Sequence, residues 1–309
     1  MIDNAAIQNA ANAWGGQIVR LIAARENHVF EIALASGEKC ALRLHRPGYQ
    51  SIESIQAELK WTRALADRGF PCPTPIRSST GDDLVETEHG IVTVVSWVDA
   101  PPISRMAEAG ANLGPVFHRL GQLLADLHQM SDDGAYAGIT DRPDWGLDAL
   151  TSEYPHWGPY WENPALSDTE SDQLFAARRI MRNWLLGRDW DTGAIHADAI
   201  SENVLGGAND LWLIDFDDSG TGYRVFDLGV PLVQFWEHEE LPDLVSKIAT
   251  GYAAKRGCDA QELIDTIPRF MAMRAVASAG WIISRKPADD PLHRRYADRA
   301  LGCARRFIL

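Results

Sequence analysis

The sequence is poor in cysteine, has no long apolar run and holds no block of clustered Lys and Arg. Each absence closes off a class of protein. The four cysteines (Cys40, Cys72, Cys258 and Cys303) are scattered, with no C-x-x-C pair and no histidine at metal-ligand spacing. That argues against a disulfide framework or a structural zinc site and fits reduced thiols. No stretch reaches the roughly 18 consecutive apolar residues that cross a bilayer. The opening residues, MIDNAAIQNAANAW, carry neither the basic region nor the apolar core of a secretory signal. The expectation is a soluble, cytoplasmic protein with no membrane partner. A formal net charge of -14 argues against a nucleic-acid polyanion as partner, because phosphate-backbone binding needs clustered cations. Repeats and low-complexity segments are also missing, which removes solenoids and disordered tails.

What is present is ordinary globular material. At 309 residues and 46% hydrophobic, the chain can bury a large core without staples, and its length suggests two lobes. From Trp14 to about Trp97 the pattern alternates like short strands. VFEIAL (Val29 to Leu34), CALRLH (Cys40 to His45) and IVTVVSW (Ile91 to Trp97) are rich in apolar and β-branched residues, and Ser36-Gly37 marks a turn. One stretch, Ser51 to Arg68, instead spaces Ile52, Ile55, Leu59 and Leu65 for a buried helical face, and Pro71, Pro73 and Pro75 follow it. Beyond Val98 to Ile103 the periodicity becomes helical at Val116 to Met130, Leu174 to Leu186 and Val245 to Ala254, and Leu263 to Phe307 reads as two or more helices broken near Pro287 and Pro291. An α+β fold is expected: a small β-rich lobe with one main helix (residues 1–97) and a larger, mostly helical lobe (98–309), hinged near residues 96–102.

The chemistry concentrates in IHADAISENVLGGANDLWLIDFDDSGTGYRVFD, Ile195 to Asp227. Within it His196-x-Asp198-x4-Asn203 is followed twelve residues later by Asp215, which closes the apolar strand LWLI. Phosphoryl transfer from ATP needs a carboxylate to orient the attacking hydroxyl and hard oxygen ligands for Mg²⁺, more than it needs covalent help. A loop with Asp198 and Asn203 five residues apart offers the first and half of the second. Gly206, Gly207, Asn209 and Asp210 read as a hairpin turn that returns Asp215 toward Asn203.

HADAISEN, LIDFDD and VFDLG together resemble the H-G-D-x4-N, I-D-[FW] and Y-D-L motifs of the aminoglycoside phosphotransferase and choline kinase superfamily. The resemblance is strongest to the bacterial branch holding homoserine-kinase-like and stress-response-kinase-like members. It implies a protein-kinase-like bilobal fold, ATP and Mg²⁺ as cofactors, Asp198 as catalytic base and His196 as the brace of the catalytic loop. It further implies Asn203 and Asp215 as Mg²⁺ ligands, Asp217 as a third group near metal or substrate, and Asp227 as an anchor of the loop. Ala197 stands where the family has glycine. LGQLLADLHQMS matches the family's L-A-x-L-H-x-x-S helix, with His128 as a structural hydrogen-bonding residue.

In the first lobe the same resemblance assigns Arg43 to the ATP α/β-phosphates, paired with Glu58 fifteen residues on. The family more often has lysine there. A Gly-rich phosphate loop is absent. ARENHVFEI stands in its place, with Asn27 and the backbone of Glu26 to His28 as phosphate contacts and the backbone of Ser96, Trp97 and Val98 as the adenine contact. The segment Arg142 to Trp161 gathers Trp145, Tyr154, Trp157, Tyr160 and Trp161 among Asp144, Asp148 and Glu153. Such a wall suits an amine-bearing acceptor, and interhelical packing is the plain alternative. The expected activity is phosphorylation of a small-molecule hydroxyl, on an amino alcohol, an amino acid such as homoserine, or an aminosugar. The alternatives are a protein Ser/Thr kinase and a non-catalytic nucleotide-binding pseudokinase. Only about a dozen residues separate Asp215 from Asp227, which leaves no long activation loop.

Overall fold

The computed structural model describes residues 4–24 and 27–309. The chain divides into two compact units. The first comprises Met1–Ala100, Gly134–Arg142 and Trp212–Asp217, and the second Pro101–Asp133, Pro143–Leu211 and Asp218–Leu309. Two short later segments thus group with the N-terminal residues, which no single cut in the sequence expresses.

The first unit opens with α1 (Asn4–Asn12) and continues through β1 (Gly16–Ala24), β2 (His28–Leu34), β3 (Lys39–Leu44), α2 (Ile52–Ala66), β4 (Leu84–Thr87) and β5 (Gly90–Ser96). The strands form an antiparallel sheet in the order β1-β2-β3-β5-β4. Strand β3 alternates buried and less buried residues, so Cys40, Leu42 and Leu44 enter the core while Arg43 takes the other face. That core joins Ile32, Val92 and Val94 to Ile7, Ala11 and Trp14 of the N-terminal helix region. Helix α2 starts on Ser51, whose hydroxyl accepts from the Ser54 N–H, and buries Ile55, Leu59, Trp61 and Leu65 as its spacing predicts. Trp61 meets Phe216 and Tyr136 edge-on, at 5.4 and 4.9 Å between centroids.

The second unit is mainly helical: α3 (Ile103–Glu108), α4 (Gly114–Met130), α5 (Leu147–Thr151), α6 (Asp168–Leu186), α7 (Arg224–Gly229), α8 (Leu241–Arg256), α9 (Ala260–Trp281) and α10 (Leu292–Phe307). Helices α4 and α8 pack backbone to backbone through glycines. A Cβ on Gly121 would lie 2.1 Å from the Ile248 carbonyl oxygen, and one on Gly251 2.0 Å from that of His118. Strands β6 (Asp144–Trp145) and β7 (Thr192–Ile195) flank β10 (Gly220–Tyr223), which runs parallel to the first and antiparallel to the second. The short strands β8 (Val204–Gly207) and β9 (Asp210–Leu213) form the hairpin read from the sequence. Among the described residues no helix is long and apolar enough to cross a membrane.

Candidate active site

The residues singled out in the sequence fall into two groups, one in each unit. In the first unit Arg43 is the centre. Its Nη2 donates to Asp215 Oδ1 at 2.8 Å and its Nη1 to Glu58 Oε1 at 3.3 Å, with Asp217 Oδ1 at 3.8 Å. Burial alone would lower the pKa of this guanidinium. The carboxylates of Asp215, Glu58 and Asp217 more than offset burial and hold it above the ordinary arginine value. A forked guanidinium can serve several carboxylates at fixed angles, where a lysine would offer a single point charge.

Asp215 has φ +65°, a left-handed conformation that aspartate tolerates better than most residues, and its side chain is 42% exposed. The neighbouring backbone is held from outside its own segment. Arg142 Nη2 donates to the carbonyls of Phe216 at 2.8 Å and Asp217 at 2.6 Å, and Gln50 Nε2 donates to the latter at 3.1 Å. Arg142, where the aromatic segment begins in the sequence, thus braces this strand end. Asn27 is buried, donates from Nδ2 to Asp217 Oδ2 at 3.3 Å and accepts the Arg46 N–H on Oδ1 at 3.0 Å. Glu26, the other part of the expected phosphate loop, lies outside the described residues. At the strand end of β5 the Ser96 N–H donates to the Thr74 carbonyl and the Ser96 hydroxyl accepts from the Thr74 N–H, both at 2.9 Å. Of the Ser96 backbone, the carbonyl oxygen is the group these two bonds do not use. Trp97 and Val98 follow, half-buried.

In the second unit the loop after β7 carries His196, Ala197, Asp198 and Asn203. Its anchor is Asp227 in the first turn of α7, fully buried. That carboxylate accepts the His196 N–H at 2.7 Å and the Ala197 N–H at 2.6 Å, and lies 3.1 Å from His128 Nε2. A carboxylate only accepts, so His128 donates from Nε2, and its Nδ1 accepts a hydrogen bond from the Tyr252 hydroxyl at 2.9 Å. Burial keeps His128 neutral by lowering its pKa, against the pull of Asp227. Held in this way, Ala197 sits at φ +65° with its methyl fully buried. Its replacement of glycine therefore carries a left-handed strain of about 1–2 kcal/mol.

His196 is fully buried and accepts the Asp198 N–H on Nδ1 at 3.2 Å. Its ring therefore packs inside the loop and holds the loop backbone from within. Asp198 is the partly open member, at 17% side-chain exposure. Asn203 Nδ2 donates to its Oδ2 and its carbonyl, both at 2.9 Å, leaving Asn203 Oδ1 as the amide's hard oxygen. Asp198 Oδ1 accepts from Arg274 Nη2 of α9 at 2.7 Å. Arg274 was not found by sequence reasoning. The available signal was an arginine inside the apolar run FMAMRAVASAG, where a charge must be paired.

The aromatic segment packs more than it lines. Trp145 and Tyr160 are fully buried and Trp157 is 8% exposed; Trp145 meets Trp157 edge-on at 4.7 Å and stacks on Phe226 at 5.6 Å. Its acidic residues are engaged too. Asp148 pairs with Arg182 at 2.8 Å, and Asp144 caps the Gly146 N–H at 3.0 Å. Tyr154, 86% exposed, is not part of a wall. A hollow of about 720 Å³ between α4 and α8, lined by His118, Arg119 and Lys247, contains none of these residues.

Among the described residues no set of three His, Cys, Asp or Glu side chains forms a ready metal cage. Mg²⁺ is ordinarily held by one or two protein oxygens, water and substrate phosphates, so an amide oxygen from Asn203 and a carboxylate from Asp215 are the right donors for it.

The model of the phosphotransferase enzyme family matches residues 18–261. A homoserine kinase of Parvibaculum lavamentivorans is 29% identical over 178 residues, 54% of this chain and 49% of that protein. The chain therefore spans about half the length of that relative. Amicoumacin kinase of Bacillus subtilis is 22% identical over 272 residues, 83% of this chain and 77% of that one. A solved structure of a microcompartment-associated aminopropanol kinase superposes with a TM-score of 0.81 at 22% identity, covering 98% of this chain and 96% of that one. The fold is the kinase-like one expected from the motifs, with a β-sheet unit and a larger helical one.

Proposed function

The chain belongs to the phosphotransferase enzyme family and is a kinase, and from that premise we propose that it moves the γ-phosphate of ATP to a hydroxyl of a small, amine-bearing molecule. The acceptor classes are an amino alcohol, an amino acid such as homoserine, or an aminosugar, the first two in line with the named activities of relatives. The observation that carries this reading is the Asp198 carboxylate, oriented by Asn203 and presented by a strained, Asp227-anchored turn. Strain kept at such a point is typical of functional loops.

In this reading Asp198 orients the acceptor hydroxyl and takes its proton. The acceptor oxygen bonds to the γ-phosphorus as the bond to the β,γ-bridging oxygen breaks, and ADP leaves. Arg43, kept in place by Glu58, meets the α/β-phosphates, and Asn27 and the residue 96–98 backbone contact the nucleotide. Asn203 and Asp215 would hold Mg²⁺, whose charge neutralises the phosphates when bound; Asp217 supports Asp215 through their shared arginine. The short interval between Asp215 and Asp227 already holds β10 and the start of α7, which supports a small-molecule acceptor over a regulated protein kinase.

The test is Asp198→Asn. With ATP, Mg²⁺ and a panel of hydroxylated amines and amino acids, ADP release should fall by roughly 10²–10⁴-fold, the usual worth of a general base. Stabilisation of the protein by the non-hydrolysable analogue AMP-PNP should persist. Undiminished turnover in the variant would remove Asp198 from this role.

A further inference from the structure

Arg274 has no part in the roles set out above. It is 7% exposed in the apolar middle of α9, where a permanent cation needs partners. Of its five N–H groups, Nη2 donates to Asp198 Oδ1 at 2.7 Å and Nη1 to the Ser278 hydroxyl. Nε is buried with no acceptor among the described residues. The guanidinium face lies 4.4 Å from the centre of the Trp157 ring. A well-packed, rigid fork with unspent donors therefore stands against the proposed base.

Within the second unit this cation also decides what can approach Asp198. The indoles that would cage an ammonium group are already covered by the protein's own cations: Trp157 by Arg274 and Trp281 by Arg285, each at 4.4 Å. An acceptor ammonium at this point would meet like charge and occupied aromatic faces. A carboxylate would meet donors in the planar geometry that suits it, in a charge-assisted and desolvated pairing.

Resting on the kinase reading, we propose that Arg274 reads a carboxylate on the phosphate acceptor. The acceptor is then a hydroxy acid, in the amino series a hydroxy amino acid, and not a bare amino alcohol or aminosugar. The same contact ties recognition to chemistry. An acceptor carboxylate competes for the guanidinium, and Asp198 Oδ1 is released to the acceptor hydroxyl.

Matched pairs that differ only by the carboxylate test it: homoserine against 3-aminopropan-1-ol, serine against 2-aminoethanol, and threonine against 1-aminopropan-2-ol. Thermal stabilisation by each compound is read on the intact protein, with ADP release under Mg-ATP read alongside. The wild type should favour the carboxylate-bearing member of the best pair by roughly a hundredfold, because the analogue leaves a buried charged donor unmet. Arg274→Gln should bring the ratio close to one, and Arg274→Lys should retain part of it. A wild type that binds or turns over the plain amine as well or better overturns the proposal, and this result needs no variant to fold. So does an unchanged ratio in Arg274→Gln, a loss in that variant of AMP-PNP binding in place of acceptor selectivity, or a failure of every compound to bind. Carboxylate-selective binding without ADP release would keep the arginine site and sink the kinase reading. ADP release with amine preference would do the reverse.

Discussion

Asp227→Asn is the most informative perturbation of the catalytic loop. The wild-type carboxylate offers Oδ1 to the Ala197 N–H and Oδ2 to both the His196 N–H and His128. An amide of the same shape has one acceptor. If its NH₂ replaces Oδ1 it faces the Ala197 N–H, and if it replaces Oδ2 it faces the His196 N–H. Either way one fully buried backbone donor loses its acceptor, at about 1–3 kcal/mol, and the surviving bonds lose their charge assistance. The total is about 3–5 kcal/mol, the range for breaking a buried charged network. For a chain of 309 residues that corresponds to a fall of roughly 5–8 °C in the unfolding midpoint. The loss should be coupled to Ala197, because Asp227 is what holds that residue at φ +65°. Ala197→Gly removes the left-handed penalty, so it should stabilise the wild type by at least about 0.5 kcal/mol more than it stabilises Asp227→Asn, where the unanchored turn has already relaxed. Differential scanning calorimetry on the four proteins of the cycle measures both quantities. An Asp227→Asn midpoint within a degree of wild type, with equal Ala197→Gly effects in the two backgrounds, would refute the anchoring argument.

Two further perturbations follow from burial. His45 is held neutral, its pKa lowered from 6.5 to about 3 by burial and then by the charges of Arg43 and Arg142. A depressed histidine leaves stability intact above pH 6.5, and stability falls as acid charges the unfolded chain first, by about 2 kcal/mol at pH 5. His128 acts in the same direction. Comparing denaturation midpoints at pH 7.5 and 5.0, His45→Gln should show a shallower loss than wild type; parallel losses would exclude His45 as a source. Gly121→Ala should cost about 1–3 kcal/mol or more in urea unfolding, because its Cβ would press on a helix backbone that cannot rotate away. Gly207→Ala, with nothing within 4 Å of the new atom, is the control and should be nearly neutral.

Elements carried by their own periodicity were legible in the sequence. Helix α2, read as Ser51 to Arg68, runs Ile52–Ala66, and the break near Pro287 and Pro291 separates α9 from α10. Elements made by their neighbours were not. Helix α1 has only Ile7 and small residues to mark a buried face, and β10 reads GTGY, with no strand signature until β6 and β7 pair with it. The aromatic run at Trp145 to Trp161 was ambiguous for the same reason. Composition supports a binding wall and a packed core equally, and contacts with Phe226 and Arg274 decide for the core.

By itself the sequence determined the family, the order of the motifs and the loop that carries Asp198, because those depend on side-chain types at fixed short spacings. Only the tertiary structure decided that Arg43 is shared among three carboxylates, that Ala197 is forced into a left-handed turn, and that Asp198 meets an arginine 76 residues away. Local pattern cannot express those facts. Each is a charge or a strain balanced by a group distant along the chain, and that balance exists only once packing has removed the water.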